Sequence, residues 1–145
     1  MLSQEKMKVL VVEDNPDDIT IIKRAMRKSE MKCDLSFARD GEEAIDFLWH
    51  TKPEYEDAPR PDLILLDLNL PKVDGLEVLT KIKQDEKLRR IPVIVLTISE
   101  QEQDMIRAYD SGAASYMHKP VDSKDFERLI QTVQDYWRIA RIPTE

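Results

Sequence analysis

Little in this chain is suited to cross-linking or to wrapping phosphate. One cysteine, Cys33, occurs in 145 residues, so an intrachain disulfide cannot form and Cys-rich zinc sites are excluded. The three glycines, Gly41, Gly75 and Gly112, cannot build a glycine-rich loop of the Walker or dinucleotide-binding kind. The two histidines, His50 and His118, have no partners at metal-ligand spacing and read as loop or solvent-facing residues. No apolar run approaches the ~20 residues of a membrane span, and the N-terminal MLSQEKMKVL lacks the apolar core of a signal peptide. A cytoplasmic, soluble chain without a membrane partner is expected. Positive charge is in deficit as well, with 22 Lys+Arg against 29 Asp+Glu and a net charge of -7. That balance argues against direct attraction to nucleic acid or anionic lipid.

What remains is enough for one domain, taken as residues 1–145 with a core over about 7–138. A chain of this length buries roughly two-thirds of its unfolded surface, so it needs neither staple nor structural metal. Three short apolar runs, Val9 to Val12, Leu63 to Leu66 and Val93 to Leu96, show no polar alternation. Such runs suit strands covered on both faces, as in a parallel sheet. Cys33 to Ala38 and Ala114 to Met117 are further strand candidates. Between them lie helical spacings: Ile19, Ile22, Met26; Ala44, Phe47, Leu48; Val78, Leu79, Ile82; Met105, Ile106, Tyr109; and Phe126, Leu129, Ile130, Val133, Trp137. Asn15 followed by Pro16 reads as an N-cap and first-turn proline, with Asp17 and Asp18 where the helix dipole favours anions. Gly112 reads as a C-cap.

Regular alternation with short connections predicts an α/β fold, a doubly wound five-stranded parallel sheet of flavodoxin-like order 2-1-3-4-5. The one long connection, Thr51 to Pro61, reads as an acidic, proline-rich surface loop. Four of the five strands run into a polar residue at the carboxyl end: Glu13 and Asp14, Asp67, Thr97, and Lys119. Ligands of open parallel sheets bind at that edge, where the winding reverses. With the first and third strands adjacent, Glu13, Asp14 and Asp67 share one crevice.

Crowded carboxylates repel unless a cation intervenes, and the hard ion that takes few protein ligands and keeps its waters is Mg²⁺. The backbone carbonyl of Asn69 would complete such a set. Lys119 would help neutralise a transferring phosphoryl group, Asp67 would be the nucleophile, and Thr97 would donate its hydroxyl. Lys119-Pro120 suits a cis bond aiming the lysine inward. Singly, each has a plainer reading: a helix-capping Asp14, a turn-forming Asp67, a strand-favouring Thr97. Their joint placement on one edge carries the argument.

In VLVVEDNPDD (Glu13, Asp14), LILLDLNLPKVDG (Asp67, Asn69), VIVLT (Thr97) and YMHKP (Lys119, Pro120), the chain resembles the receiver domains of two-component response regulators from Met7 to about Trp137. The resemblance implies that Asp67 accepts a phosphoryl group from a phosphohistidine of a sensor histidine kinase, with Mg²⁺ required. It also implies a switch in which Thr97 moves toward the phosphoryl group and Tyr116 turns inward, remodelling the face of the fourth helix, fifth strand and fifth helix for a downstream protein target. The segments APRPDLILLDLNLPKVDGLEVL, IPVIVLT and DYW are similar to stand-alone regulators paired with phytochrome-type and related PAS or GAF sensor kinases. Some of these dimerise, and Tyr136, Trp137, Ile139 and Ile142 offer surplus apolar surface for a homodimer.

One position departs from the family pattern, because Ile98 stands where a small residue usually follows the switch threonine. Its bulk predicts restricted access to the acyl phosphate or a hindered Tyr116. A dehalogenase-type hydrolase fits less well, because its D-x-D belongs on the first strand and Asn69 cannot act as an acid. A flavodoxin-type carrier would need a Ser/Thr/Gly-rich phosphate loop where this chain has EDNPDD. A receiver that is never phosphorylated and serves as a scaffold is the remaining alternative.

Overall fold

The computed structural model describes residues 6–28, 33–119 and 122–139. Pro120 and Ile142 therefore lie outside the described residues, and so does the expected cis bond. Strands Met7–Val12 (β1), Cys33–Ala38 (β2), Leu63–Asp67 (β3), Val93–Thr97 (β4) and Ser115–His118 (β5) form one parallel sheet in the order β2-β1-β3-β4-β5. Helices Pro16–Lys28 (α1), Gly41–Trp49 (α2), Gly75–Gln84 (α3), Glu102–Asp110 (α4) and Ser123–Ile139 (α5) connect them. The expected fold and strand order are the observed ones.

Period-two alternation divides the core. Leu10, Val12, Ile64, Leu66, Val93 and Val95 face a layer containing Ala44, Phe47, Val78, Leu79, Ile82 and Ala108 of α2, α3 and α4. Val9, Val11, Leu63, Leu65, Ile94 and Leu96 face Ile22, Ala25, Met26, Phe126 and Ile130 of α1 and α5. Both faces of the three central strands are thus covered, which explains why their sequences lack polar alternation. Cys33 is only half-buried because it starts the edge strand β2.

Local signals set the ends of several helices. Asn15 Oδ1 accepts hydrogen bonds from the backbone N–H of Asp17 (2.9 Å) and Asp18 (3.4 Å), so the cap expected at α1 is formed. Gly112 adopts φ 103° just past α4, a conformation open to glycine and costly to other residues. The end of α2 was not legible in the same way: His50, not a glycine, takes φ 54° there. In the long connection a short 3₁₀ turn, Pro53–Tyr55, sets Tyr55 against Phe47 with ring centroids 5.9 Å apart.

Gly75 opens α3 against the back of β3. A Cβ there would lie 2.4 Å from the Asp67 carbonyl oxygen and 2.5 Å from Leu68 Cα, so only glycine lets the helix start this close to the strand end. The core behind it is tightly filled. Ile82 is fully buried among α3, β3 and β4, and Ile82→Ala is expected to cost about 2–5 kcal/mol, read as a lower urea midpoint with an unchanged denaturant slope.

Candidate functional site

The sheet register brings the polar residues together. Val12 pairs with Leu66, so Glu13 and Asp67, each the next residue of its strand, emerge side by side. Asp67 pairs with Leu96, and Thr97 with His118, which places Thr97 and Lys119 on the same edge. One ligating oxygen each from Glu13, Asp14 and Asp67 lies within 4.8 Å of the others. Glu13 (1% exposed) and Asp67 (4%) are buried, whereas Asp14 faces solvent.

Lys119 leaves β5, two strands from β3 and three from β1 in the sheet order. At ~4.8 Å per strand it must reach roughly 10 Å or more, so a long side chain and an inward-turned backbone are both needed. The backbone condition is met by Lys119 N–H donating to the Thr97 carbonyl at 2.6 Å. Lys119 Nζ then donates to Glu13 Oε1 (2.5 Å), Asp18 Oδ2 (2.9 Å) and Asp67 Oδ2 (3.2 Å). Asp18 was read from the sequence only as a first-turn helix acid. The Asn15 cap is what turns that first turn, and Asp18 with it, toward the lysine.

Charge in this cluster is unbalanced, with Glu13, Asp14, Asp18 and Asp67 set against a single ammonium. Burial pushes the Glu13 carboxyl up to about 7, aided by the nearby Asp67 charge and opposed by Lys119. For Lys119, burial acts downward, but hydrogen bonds to Glu13 and Asp18 and the Asp67 charge outweigh it, and its pKa is raised. The lysine therefore stays cationic while the acids around it carry excess negative charge. Hard oxygen donors, an under-neutralised pair of buried carboxylates and one solvent-facing acid fit a hydrated divalent cation such as Mg²⁺.

Across from the lysine, the loop after β3 ties Asp67 to Thr97. Asn69 N–H donates to Asp67 Oδ1 at 3.0 Å, and the Asn69 side-chain amide donates to Thr97 Oγ1 at 3.1 Å. Ser99 N–H also donates to Thr97 Oγ1, at 3.2 Å. With both lone pairs of this buried hydroxyl engaged, its proton is the remaining capacity it has to give. From the sequence a role was assigned only to the Asn69 carbonyl; the bond from its side-chain amide to Thr97 was not foreseen.

Tyr116 is half-buried and its hydroxyl donates to the Ser99 carbonyl at 3.3 Å. Ile98 projects outward and is 66% exposed. Glu13, Asp14, Asp67, Asn69, Thr97 and Lys119 thus share one crevice, while Tyr116 borders the loop that follows Thr97.

A family model of the response regulator receiver domain matches residues 9–133. Among curated proteins, response regulator Rcp1 of Synechocystis is 43% identical over 129 residues, covering 89% of this chain and 87% of Rcp1. The probable methanogenesis regulatory protein FilR2 of Methanothrix harundinacea is 41% identical over 89% of this chain and 82% of its own length. Among solved structures, the phosphorylated cyanobacterial phytochrome response regulator RcpA superposes with a TM-score of 0.83 at 41% identity, over 96% of this chain and 99% of RcpA. The Mn²⁺-bound form of Rcp1 gives 0.81 at 41% identity, over 94% and 99%. With the same strand order, a family model over most of its length and these relatives, the chain belongs to the response regulator receiver domain family of two-component signalling.

Proposed function

We propose that the chain is a phosphorylation-dependent switch in which Asp67 takes a phosphoryl group from a sensor histidine kinase, with Mg²⁺ as cofactor. One observation carries the reading: buried Asp67, at a strand end, touches a buried lysine on one side and is tied through Asn69 to a threonine hydroxyl on the other. A carboxylate oxygen of Asp67 attacks phosphorus, the P–N bond to the donor imidazole breaks, and the imidazole leaves with a proton. Glu13, Asp14, Asp67 and the Asn69 carbonyl would hold Mg²⁺, which supplies charge neutralisation to the transferring oxygens. Lys119 offers a cation to the same oxygens, and Thr97 its hydroxyl proton.

The phosphoryl group adds negative charge beside acids that already exceed their counter-charge, so Lys119 and Thr97 gain a new partner in the phosphorylated state only. Differential contacts of that kind shift a population between two packings. Tyr116, held by the loop after Thr97, is the side chain that follows this loop to the face of α4, β5 and α5. The regulators RcpA and Rcp1 make a phytochrome-type or related PAS or GAF kinase the donor class in this reading. Met105, Ile106 and Tyr109 on α4 and Tyr136 and Ile139 on α5 are exposed apolar side chains. That surface supports a homodimer and a downstream protein target.

Incubation with acetyl phosphate and Mg²⁺ should add one phosphoryl mass to the wild type and none to Asp67→Asn; chelation of divalent metal should abolish the gain. Unchanged mass in wild type would sink the reading. The exposed Ile98 side chain, next in sequence to Thr97, is expected to shield the acyl phosphate, so Ile98→Ala should lose its label faster than wild type in a pulse-chase measurement. Light scattering should find a dimer in at least one phosphorylation state; a monomer in both would refute the homodimer.

A further inference from the structure

The loop between β4 and α4 is gripped from β5 by two side chains on the same face of the strand. Tyr116 and His118 are two residues apart, so both point to the α2-α3-α4 side of the sheet, where Tyr116 packs. Tyr116 donates its hydroxyl to the Ser99 carbonyl. His118 Nε2 lies 3.0 Å from the Ile98 carbonyl oxygen. A carbonyl only accepts, so Nε2 carries the proton of this bond. The Glu100 carboxylate lies 3.7 Å from the same nitrogen, but at 86% side-chain exposure it adds little.

The two anchored carbonyls are those directly after Thr97. The Ile98 carbonyl in particular belongs to the residue bonded to Thr97, so the imidazole fixes the stretch through which the Thr97 hydroxyl would have to be carried toward a phosphoryl group. The same bond turns the Ile98 peptide toward β5 while the Ile98 side chain faces water, in keeping with its exposure. His118 bonds the Ile98 carbonyl and lies by Glu100, whereas Lys119, its chain neighbour, bonds Glu13, Asp18 and Asp67.

We propose that His118 is a positioning residue: it straps the Ile98 carbonyl in the unphosphorylated arrangement and so sets how readily the β4–α4 loop changes place when a phosphoryl group arrives. The proposal rests on reading Asp67 as the phosphoacceptor and Thr97 as its hydroxyl partner. Loss of the strap removes one hydrogen bond from the resting arrangement only, which favours the occupied one by roughly threefold to tenfold, the factor of one net hydrogen bond.

Beryllofluoride, a phosphoryl mimic, tests this at equilibrium by calorimetry with saturating Mg²⁺. His118→Ala should bind it roughly threefold to tenfold more tightly than wild type, with Mg²⁺ affinity unchanged. His118→Gln, whose amide nitrogen also donates, should return to the wild-type value, which a merely structural loss would not do. Equal or weaker binding by His118→Ala, or a His118→Gln value that tracks His118→Ala, would overturn the strap. Wild type that binds Mg²⁺ but no beryllofluoride would instead remove the phosphoacceptor reading beneath it.

Discussion

A single buried ammonium surrounded by more carboxylates than it can neutralise is the constraint on which this molecule depends. Lys119 and Glu13 are almost wholly removed from solvent, and Asp67 nearly so. Taking charges out of water costs several kcal/mol per ion before pairing, so the fold must supply pairing from several elements at once. It does so by topology: β1 and β3 are neighbours only because the sheet winds outward in both directions from them. Lys119 completes the set from an edge strand, held inward by its backbone bond to Thr97. The resulting excess of negative charge is the property that a divalent cation would answer, and a transferred phosphoryl group would then redistribute it.

The fold was largely legible in the residues because its determinants are local and periodic. Uninterrupted Val, Ile and Leu in β1, β3 and β4 reflect strands buried on two faces, and the Asn15-Pro16 pair marks the start of α1 within a residue. Features set by contacts distant in sequence were harder to see. His50 closes α2 in a left-handed conformation without a glycine, because its backbone N–H still finds the Asp46 carbonyl. The fully buried Gln134 on α5 reaches across to Cys33 at the start of β2 with an N–S separation of 2.9 Å, a pairing of residues 101 positions apart.

The site divides along the same line. Glu13, Asp14, Asp67, Thr97 and Lys119 could be found because each ends or directly follows a strand, and the strand order alone places their backbones on one edge. Asp18 could not, since its role depends on which way the first turn of α1 faces after the cap. Nor could the Asn69 amide or the His118 ring, whose partners are a hydroxyl and a carbonyl on β4 and the loop beyond it. Position along a strand reveals which residues share an edge, but hydrogen bonds between loops depend on side-chain direction, which the pattern of residue types does not encode.

Those unencoded contacts explain how one carboxylate can influence a surface on the far side of β4. Asp67 Oδ1 is bonded to the Asn69 backbone, Asn69 to Thr97, and Thr97 to the Ser99 backbone, whose carbonyl receives Tyr116. Ser99 Oγ continues the chain to Asp104 in the first turn of α4, at 2.5 Å. Every link is a directional bond of a few ångströms, and each joins a loop to a strand or a helix. A change of charge at Asp67 therefore meets a connected set of bonds that must be kept or exchanged together. Rigid β3 and β4 hold the two ends in register, so the adjustable parts are confined to the β3–α3 and β4–α4 loops. That confinement is the physical basis for reading the crevice as a switch, because the bonds around Asp67 lead away from it toward α4 and β5.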